Sequence, residues 1–116
     1  MHTMIAQDLR QEMEEDRHLL VLNVLSAEEF EKGHIPGSHN IPQEAPDFLR
    51  QVADLAGSRD RRIVVHCSGI TCDASAKALE ALTRAGFSNV HRFEGGMTDW
   101  KKAGFPVVTG SPIHTH

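Results

Sequence analysis

The chain has 116 residues, of which 40% are hydrophobic and 24% charged, and its formal net charge is -4. Size and composition predict one soluble globular domain over residues 1–116. The net negative charge, the absence of tyrosine and the single tryptophan argue against nucleic acid and anionic membranes as partners. No apolar run approaches the ~20 residues that span a bilayer. The first residues lack the basic start and apolar stretch of a signal peptide, so we expect a cytoplasmic protein.

The first half of the chain alternates short apolar blocks with turn formers. The run from Leu19 to Leu25 is almost continuously apolar, which predicts a strand buried on both faces, as in a parallel sheet. Ser26 followed by Glu29 is a capping-box pattern and predicts the start of a short helix. In chain order we predict a helix over 7–16, a strand over 19–25, a helix from 26 to 33, a very short strand over 38–40 and a helix over 47–56.

The second half continues the same alternation. We predict a strand over 62–66, a helix over 75–85 with Ser75 as its N-cap, a strand over 90–93, a helix over 98–103 and a frayed tail over 110–116. Strands separated by helices predict right-handed crossovers, and therefore an α/β fold with a mainly parallel sheet and helices on both faces. Ligands of such sheets bind beyond the carboxyl ends of the strands. Cys67 directly follows a predicted strand and is expected at that edge.

The loop that begins at Cys67 has the composition of an anion-binding turn. Ser68 and Gly69 are small and permit a tight backbone whose N–H groups point inward. Such a turn before a helix N-terminus stabilises negative charge, and it favours the ionised, nucleophilic form of a cysteine. Free cysteine is also often a small buried hydrophobe. The pattern alone leaves these two interpretations of Cys67 equally open.

Three motifs resemble those of rhodanese-like domains. They are EF at 29–30 with GHIPGS at 33–38, a cysteine directly after a valine-rich strand, and EGGM at 94–97 with Trp100. The resemblance covers nearly the whole chain. It implies a parallel five-stranded sheet flanked by helices and a sulfurtransferase activity that moves sulfane sulfur through a persulfide on Cys67, without a cofactor. It also implies a small sulfur donor or a persulfide-bearing protein, and a thiol acceptor, as partners. The active-site loop would comprise Ser68, Gly69, Ile70, Thr71, Cys72, Asp73 and Ala74.

The loop departs from the family pattern. It is about two residues longer than usual, and it lacks the arginine that many active members carry late in the loop; Cys72, Asp73 and Ala74 stand there instead. An arginine fork binds small dianions, so its loss predicts weak activity with thiosulfate. Related phosphatases also need that arginine, which disfavours a phosphatase.

Cys72 is an added feature of this loop. It lies five positions after Cys67, and the fold-back of the loop allows the ~4.4–6.8 Å between Cα atoms that a disulfide requires. We hypothesise that Cys72 resolves a Cys67 persulfide or sulfenate; the alternative is that it only packs at the helix start. Two other functions stay open: a non-catalytic regulatory module that binds a protein, and a redox sensor using both cysteines.

The eight histidines raise the question of a metal site. His66, Cys67 and Cys72 match no standard zinc spacing, and neighbouring strand residues point to opposite faces, so we predict no metal. His66 is expected to hydrogen-bond locally at the strand end, and a role in tuning Cys67 is the weaker alternative. His34 is expected to fix the turn of the GHIPGS motif.

Overall fold

The structure is a computed structural model that describes residues 4–69 and 72–110. Its helices and strands alternate along the chain as predicted, with bounds that differ from the predicted ones by a few residues. They are α1 (Ala6–Glu15), β1 (Leu20–Asn23), α2 (Ala27–Lys32), β2 (His39–Asn40), α3 (Phe48–Ala56), β3 (Ile63–His66), α4 (Ala74–Arg84), β4 (Val90–Arg92) and α5 (Gly96–Lys102).

The strands form a parallel sheet in the order β2-β1-β3-β4. Strands β1 and β3 lie at its centre and are buried along their whole length, which fits sequences that are apolar up to their last residues, Asn23 and His66. In register, Asn23 of β1 lies beside His66 of β3, and Val65 of β3 lies beside Arg92 of β4. The carboxyl ends of these three strands therefore meet at one edge, directly before the loop that begins at Cys67.

The fifth strand that the family resemblance implies is absent from the sheet in the described part of the chain. An isolated antiparallel bridge joins His34 to Val108 instead. Extending this bridge in one direction would pair Pro36 with Pro106. Proline has no backbone N–H, so no ladder can continue on that side.

Two hydrophobic clusters cover the two faces of the sheet. One contains Cys67 with the alternate strand residues Leu22 and Val65, and it packs under α3 and α4. The other contains Val64 and Phe93, and it packs under α1 and α5 together with Trp100. The period of two along each strand thus assigns neighbouring residues to different clusters.

Local signals explain both ends of α2. The Ser26 hydroxyl accepts a hydrogen bond from the Glu29 amide at 3.3 Å, and Gly33 ends α2, as predicted. The prediction that Ser75 is an N-cap is wrong: Asp73 holds that position, and Ser75 lies inside the first turn of α4, buried.

Of the predicted tail, only Gly110 belongs to the described residues. None of the helices within residues 4–69 and 72–110 combines the length and apolarity that crossing a bilayer requires.

Candidate active site

Cys67 lies where the sequence places it, one residue beyond the carboxyl end of β3. Its side chain is 1% exposed and belongs to the cluster under α4. The sulfur lies 3.3 Å from the hydroxyl oxygen of Ser75, in the first turn of α4. The sulfur is therefore at the positive end of a helix, beside a hydroxyl donor.

Cys67 and Cys72 form a disulfide, with their Cα atoms 6.4 Å apart. The approach of the two cysteines that the loop length predicted is thus observed. An ionised and reachable sulfur is not present in this form, because the Cys67 sulfur is bonded and covered. Cys72 itself is half-buried, so its sulfur forms the outer half of the bond.

The backbone of the loop is fastened by α5, from the opposite face of the sheet. The carbonyl of Cys67 accepts the Met97 amide at 3.0 Å, and the carbonyl of Ser68 accepts the amide and hydroxyl of Thr98 at 2.8 and 2.9 Å. Gly96 has a φ of 55°, and a Cβ there would collide with the Cys67 carbonyl oxygen. The second glycine of the EGG motif is therefore required, because only glycine allows the backbone to approach the Cys67 carbonyl this closely.

The remaining loop residues have different surroundings. The amide of Cys72 donates to the Gly69 carbonyl at 3.1 Å, so it closes the turn. Asp73 is exposed and pairs with Lys77 at 3.6 Å, and Ala74 begins α4. Ile70 and Thr71 lie outside the described residues, so the predicted ring of inward amides stays a prediction. Ser68 is exposed, and Gly69 is buried against Thr98.

Arg92, at the end of β4, is a site residue that the sequence analysis missed. Its guanidinium donates from Nε to the Ser75 hydroxyl at 2.8 Å and from Nη2 to the Cys72 carbonyl at 3.2 Å. Nη1 lies 3.4 Å from Glu94. The signal was the strand period: the buried Phe93 occupies one face, so Arg92 points to the other, which is the face of Cys67. A cation from the neighbouring strand thus reaches the loop that lacks its own arginine.

His66 is buried on the face opposite to Cys67. Its Nδ1 lies 3.2 Å from the Cys67 carbonyl oxygen, and its ring meets Phe93 edge-on. Burial lowers the pKa of His66 from 6.5 to about 4, although the hydrogen bond to the carbonyl acts in the other direction. The ring is therefore neutral near pH 7 and brings no positive charge to the sulfur. The predicted local hydrogen bond of His66 is confirmed.

His34 has the structural role expected of it. Its ring stacks on Phe30 and its Nδ1 lies 2.8 Å from the Phe30 carbonyl oxygen. Within the described ranges, no three His, Cys, Asp or Glu side chains gather as a metal ion would need.

A cleft of about 520 Å³ opens beside Cys72, between the end of β1 and the start of α4. Its floor is apolar, with Val24 and Leu25, and three carboxylates line it: Glu29, Glu44 and Asp73. The half-buried Cys72 faces this cleft, whereas Cys67 does not line it. The approach to the disulfide from this side is therefore acidic.

Comparison with known proteins gives consistent results. The Rhodanese-like domain family matches residues 5–103. An HTH-type transcriptional regulator of Mycobacterium tuberculosis is 38% identical over 93 residues, covering 80% of this chain and 39% of the regulator. Thiosulfate sulfurtransferase 16, a chloroplastic protein of Arabidopsis thaliana, is 38% identical over 95 residues, covering 74% of this chain and 77% of that protein.

A solved structure agrees with these matches. The crystal structure of a rhodanese-related protein of Thermoplasma volcanium superposes with a TM-score of 0.73 at 31% identity, covering 95% of this chain and all of the other. The chain spans well under half the length of the mycobacterial regulator but most of the plant protein. The same kind of domain thus occurs both as part of larger proteins and nearly alone.

Proposed function

The chain belongs to the family of rhodanese-like domains, and from that premise we propose that it is a sulfurtransferase whose reduced Cys67 carries sulfur as a persulfide. The observation that carries the proposal is the position of the Cys67 sulfur, at the first turn of α4 and 3.3 Å from the Ser75 hydroxyl. A helix N-terminus and a hydroxyl donor both stabilise a thiolate. The thiolate is the form that attacks sulfur.

The reaction has two steps. First, the Cys67 thiolate attacks the outer sulfur of a donor; a new S–S bond forms, and the donor's own S–S bond breaks with its electron pair leaving on the donor fragment. Second, an acceptor thiolate attacks the terminal sulfur of the Cys67 persulfide. The bond to the Cys67 sulfur breaks, and that sulfur leaves as the thiolate that began the cycle. No oxidant or cofactor enters this balance.

The surroundings of the loop favour a donor other than a small dianion. The carboxylates of Glu29, Glu44 and Asp73 line the cleft beside Cys72, and they repel thiosulfate. Arg92 has its three nitrogens engaged with Ser75, Cys72 and Glu94. A persulfide-bearing protein or a small persulfide without a net negative charge fits better, with a thiol as acceptor.

The test is persulfide formation on the pre-reduced protein. Thiosulfate and cysteamine persulfide, whose ammonium group offsets the charge of the persulfide, are offered in parallel, and intact mass spectrometry follows the gain of one sulfur atom. We expect the gain with cysteamine persulfide and much less with thiosulfate. Cys67→Ser should prevent it, and Cys72→Ser should not. A protein that gains no sulfur from either donor, or gains it equally in Cys67→Ser, contradicts the proposal.

The disulfide favours a second candidate function, a thiol–disulfide switch. The Cys72 thiolate attacks the inner sulfur of the Cys67 persulfide, the Cys67–Cys72 bond forms, and the terminal sulfur leaves as hydrosulfide. The persulfide supplies the oxidising equivalent, so no separate oxidant is needed. This step is intramolecular, because the two Cα atoms are only 6.4 Å apart.

Hydrosulfide release distinguishes this second candidate from simple transfer. The persulfidated wild type without acceptor should release hydrosulfide and gain the Cys67–Cys72 bond, as seen by peptide mapping. Cys72→Ser should keep its persulfide under the same conditions. Equal persulfide lifetimes in both proteins would exclude a resolving role for Cys72.

A further inference from the structure

The family loop arginine is missing from residues 67–74, yet a guanidinium still reaches this loop from another strand. Arg92 is the last residue of β4, and in register it lies beside Val65, two residues before Cys67. Its side chain is only 18% exposed. A charged side chain this far from water needs partners, and it has three in the described structure.

The bond from Arg92 to Ser75 makes the Ser75 oxygen an acceptor. Arg92 Nε is always a donor, so at 2.8 Å the Ser75 oxygen must accept. A hydroxyl has one proton of its own, which remains to be donated. The Cys67 sulfur lies 3.3 Å from the same oxygen. The three groups therefore form a chain in which a cation polarises a hydroxyl whose own proton can be donated to a reduced, ionised Cys67 sulfur.

Building on the sulfurtransferase proposed above, we infer that Arg92 is a positioning residue that acts through Ser75 to stabilise the Cys67 thiolate. The thiolate is both the attacking group of the first step and the leaving group of the second. A hydroxyl whose oxygen already accepts from a guanidinium is a stronger donor than an isolated one. Stabilisation at this atom therefore serves both halves of the cycle. Arg92 does not touch the donor in this arrangement.

Other charged groups around the loop either oppose this stabilisation of the Cys67 thiolate or do not contribute to it. Glu94, at 3.4 Å from Arg92, offsets part of its charge. Asp73 is paired with Lys77, and His66 is neutral on the opposite sheet face. Glu29 and Glu44 line the cleft beside Cys72 and disfavour a thiolate, although Glu29 pairs with Lys32 at 3.9 Å. Among the described residues, Arg92 is thus a cation whose contacts lead to the sulfur through Ser75.

Thiolate titration tests the inference without any donor or acceptor. In a Cys72→Ser background Cys67 is the sole cysteine, and the chain has no tyrosine to add a phenolate signal at alkaline pH. The ultraviolet absorbance of the thiolate then reports Cys67 alone, even though the residue is buried. We expect Arg92→Gln to raise the midpoint of this titration by about one pH unit, a ~tenfold loss of thiolate below the midpoint.

Further variants distinguish an effect of the Arg92 charge, acting through Ser75, from a purely structural role of Arg92. Arg92→Lys keeps the charge and should bring the midpoint part of the way back. Ser75→Ala should raise the midpoint by itself, and adding Arg92→Gln to it should change little more, because the path to the sulfur is already broken. Arg84→Gln is the matched control: it removes an exposed arginine from the far end of α4 and should leave the midpoint in place.

Specific results would overturn the inference. An unchanged midpoint in Arg92→Gln, equal midpoints in the Lys and Gln variants, or full additivity with Ser75→Ala would each do so. In sulfur transfer, Arg92→Gln should lower kcat with little change in KM, whereas a rise in KM alone would mean that Arg92 binds the donor directly. A protein that titrates as expected but forms no persulfide would refute the sulfurtransferase proposal. It would still support the effect of Arg92 on the Cys67 thiolate through Ser75.

Discussion

His66 and Cys67 are neighbours in sequence and both are fully buried, but they lie on opposite faces of the sheet and have opposite surroundings. The Cys67 side chain meets the Ser75 hydroxyl, which accepts a hydrogen bond from the Arg92 guanidinium, and the carbonyl and sulfur of Cys72. The His66 ring faces Phe93 and the backbone, and burial keeps it neutral. Burial alone therefore does not decide whether a polar side chain is reactive; the groups that share its face decide.

The two faces are nevertheless connected through one carbonyl oxygen. The carbonyl of Cys67 meets both the His66 ring and the Met97 amide, and these groups belong to the other face. The backbone of Cys67 is thus held in place by groups on the face opposite to its side chain. Four predictions test this division, from the largest expected effect to the smallest.

Gly96→Ala should break the connection between the faces. The added Cβ would collide with the Cys67 carbonyl, and the residue would hold a φ of 55°. Strain and overpacking together should lower the free energy of unfolding by about 4 kcal/mol. Urea denaturation measures this. Gly104→Ala is the control, since its φ is also positive but its Cβ meets open space; it should cost about 1 kcal/mol. Equal losses would show that α5 does not hold the loop.

Protonation of His66 should destabilise the face without reactive groups. The pKa of His66 is about 4 in the folded protein against 6.5 in the unfolded chain, so between these values the unfolded state binds more protons. Stability is therefore complete above pH 6.5 and falls as the pH drops toward 4, by about 3 kcal/mol.

Comparison with a variant that does not titrate isolates this contribution of His66. His66→Asn keeps a donor for the Cys67 carbonyl but has no proton to gain. Urea denaturation of both proteins at pH 7 and at pH 4 should show a smaller loss in the variant, and the difference between the two losses is the His66 contribution. Identical losses would mean that the ring is not desolvated.

Reduction of the disulfide should loosen the reactive face. The Cys67–Cys72 bond closes a short loop, with a sequence separation of 5, and its loss should cost about 2 kcal/mol through the entropy of the unfolded chain. Urea denaturation with and without a reductant gives the value. Cys72→Ser serves as the control and should not respond to the reductant. If the wild type did not respond either, the bond would contribute nothing to stability.

Glu94→Gln should strengthen the effect of Arg92 on the Cys67 thiolate, because it removes the counter-charge of Arg92. Glu94 is partly exposed, so solvent weakens the pair, and the Cys67 titration midpoint should fall by only about 0.3 pH units. Thiolate absorbance in the Cys72→Ser background measures the shift. Glu80→Gln, which removes an exposed partner of Arg84, should leave the midpoint unchanged. A rise of the midpoint in Glu94→Gln would contradict the inference that the charge of Arg92 stabilises the Cys67 thiolate.

Local patterns were sufficient to predict the fold. The apolar run at 19–25 predicted a central parallel strand, and the Ser26 cap and Gly33 predicted the ends of α2, because these signals depend on neighbours a few residues away. The position of Cys67 at the active edge followed from the same alternation. The four strands predicted from the residue pattern are those of the described sheet, whereas the fifth strand was implied by the family resemblance alone. Pairing at the margin of the sheet depends on which distant segments meet, here two that place Pro36 opposite Pro106.

The surroundings of Cys67 were decided by the tertiary structure. The sequence alone determined that a cysteine follows the third strand and that its loop has lost an arginine and gained Cys72. Only the fold brought Arg92 from another strand to Ser75, and it turned Ser75 from an expected cap into the hydroxyl beside the sulfur. Hydrogen bonds between residues far apart in the chain have no local sequence signature, because they depend on the order and register of the strands.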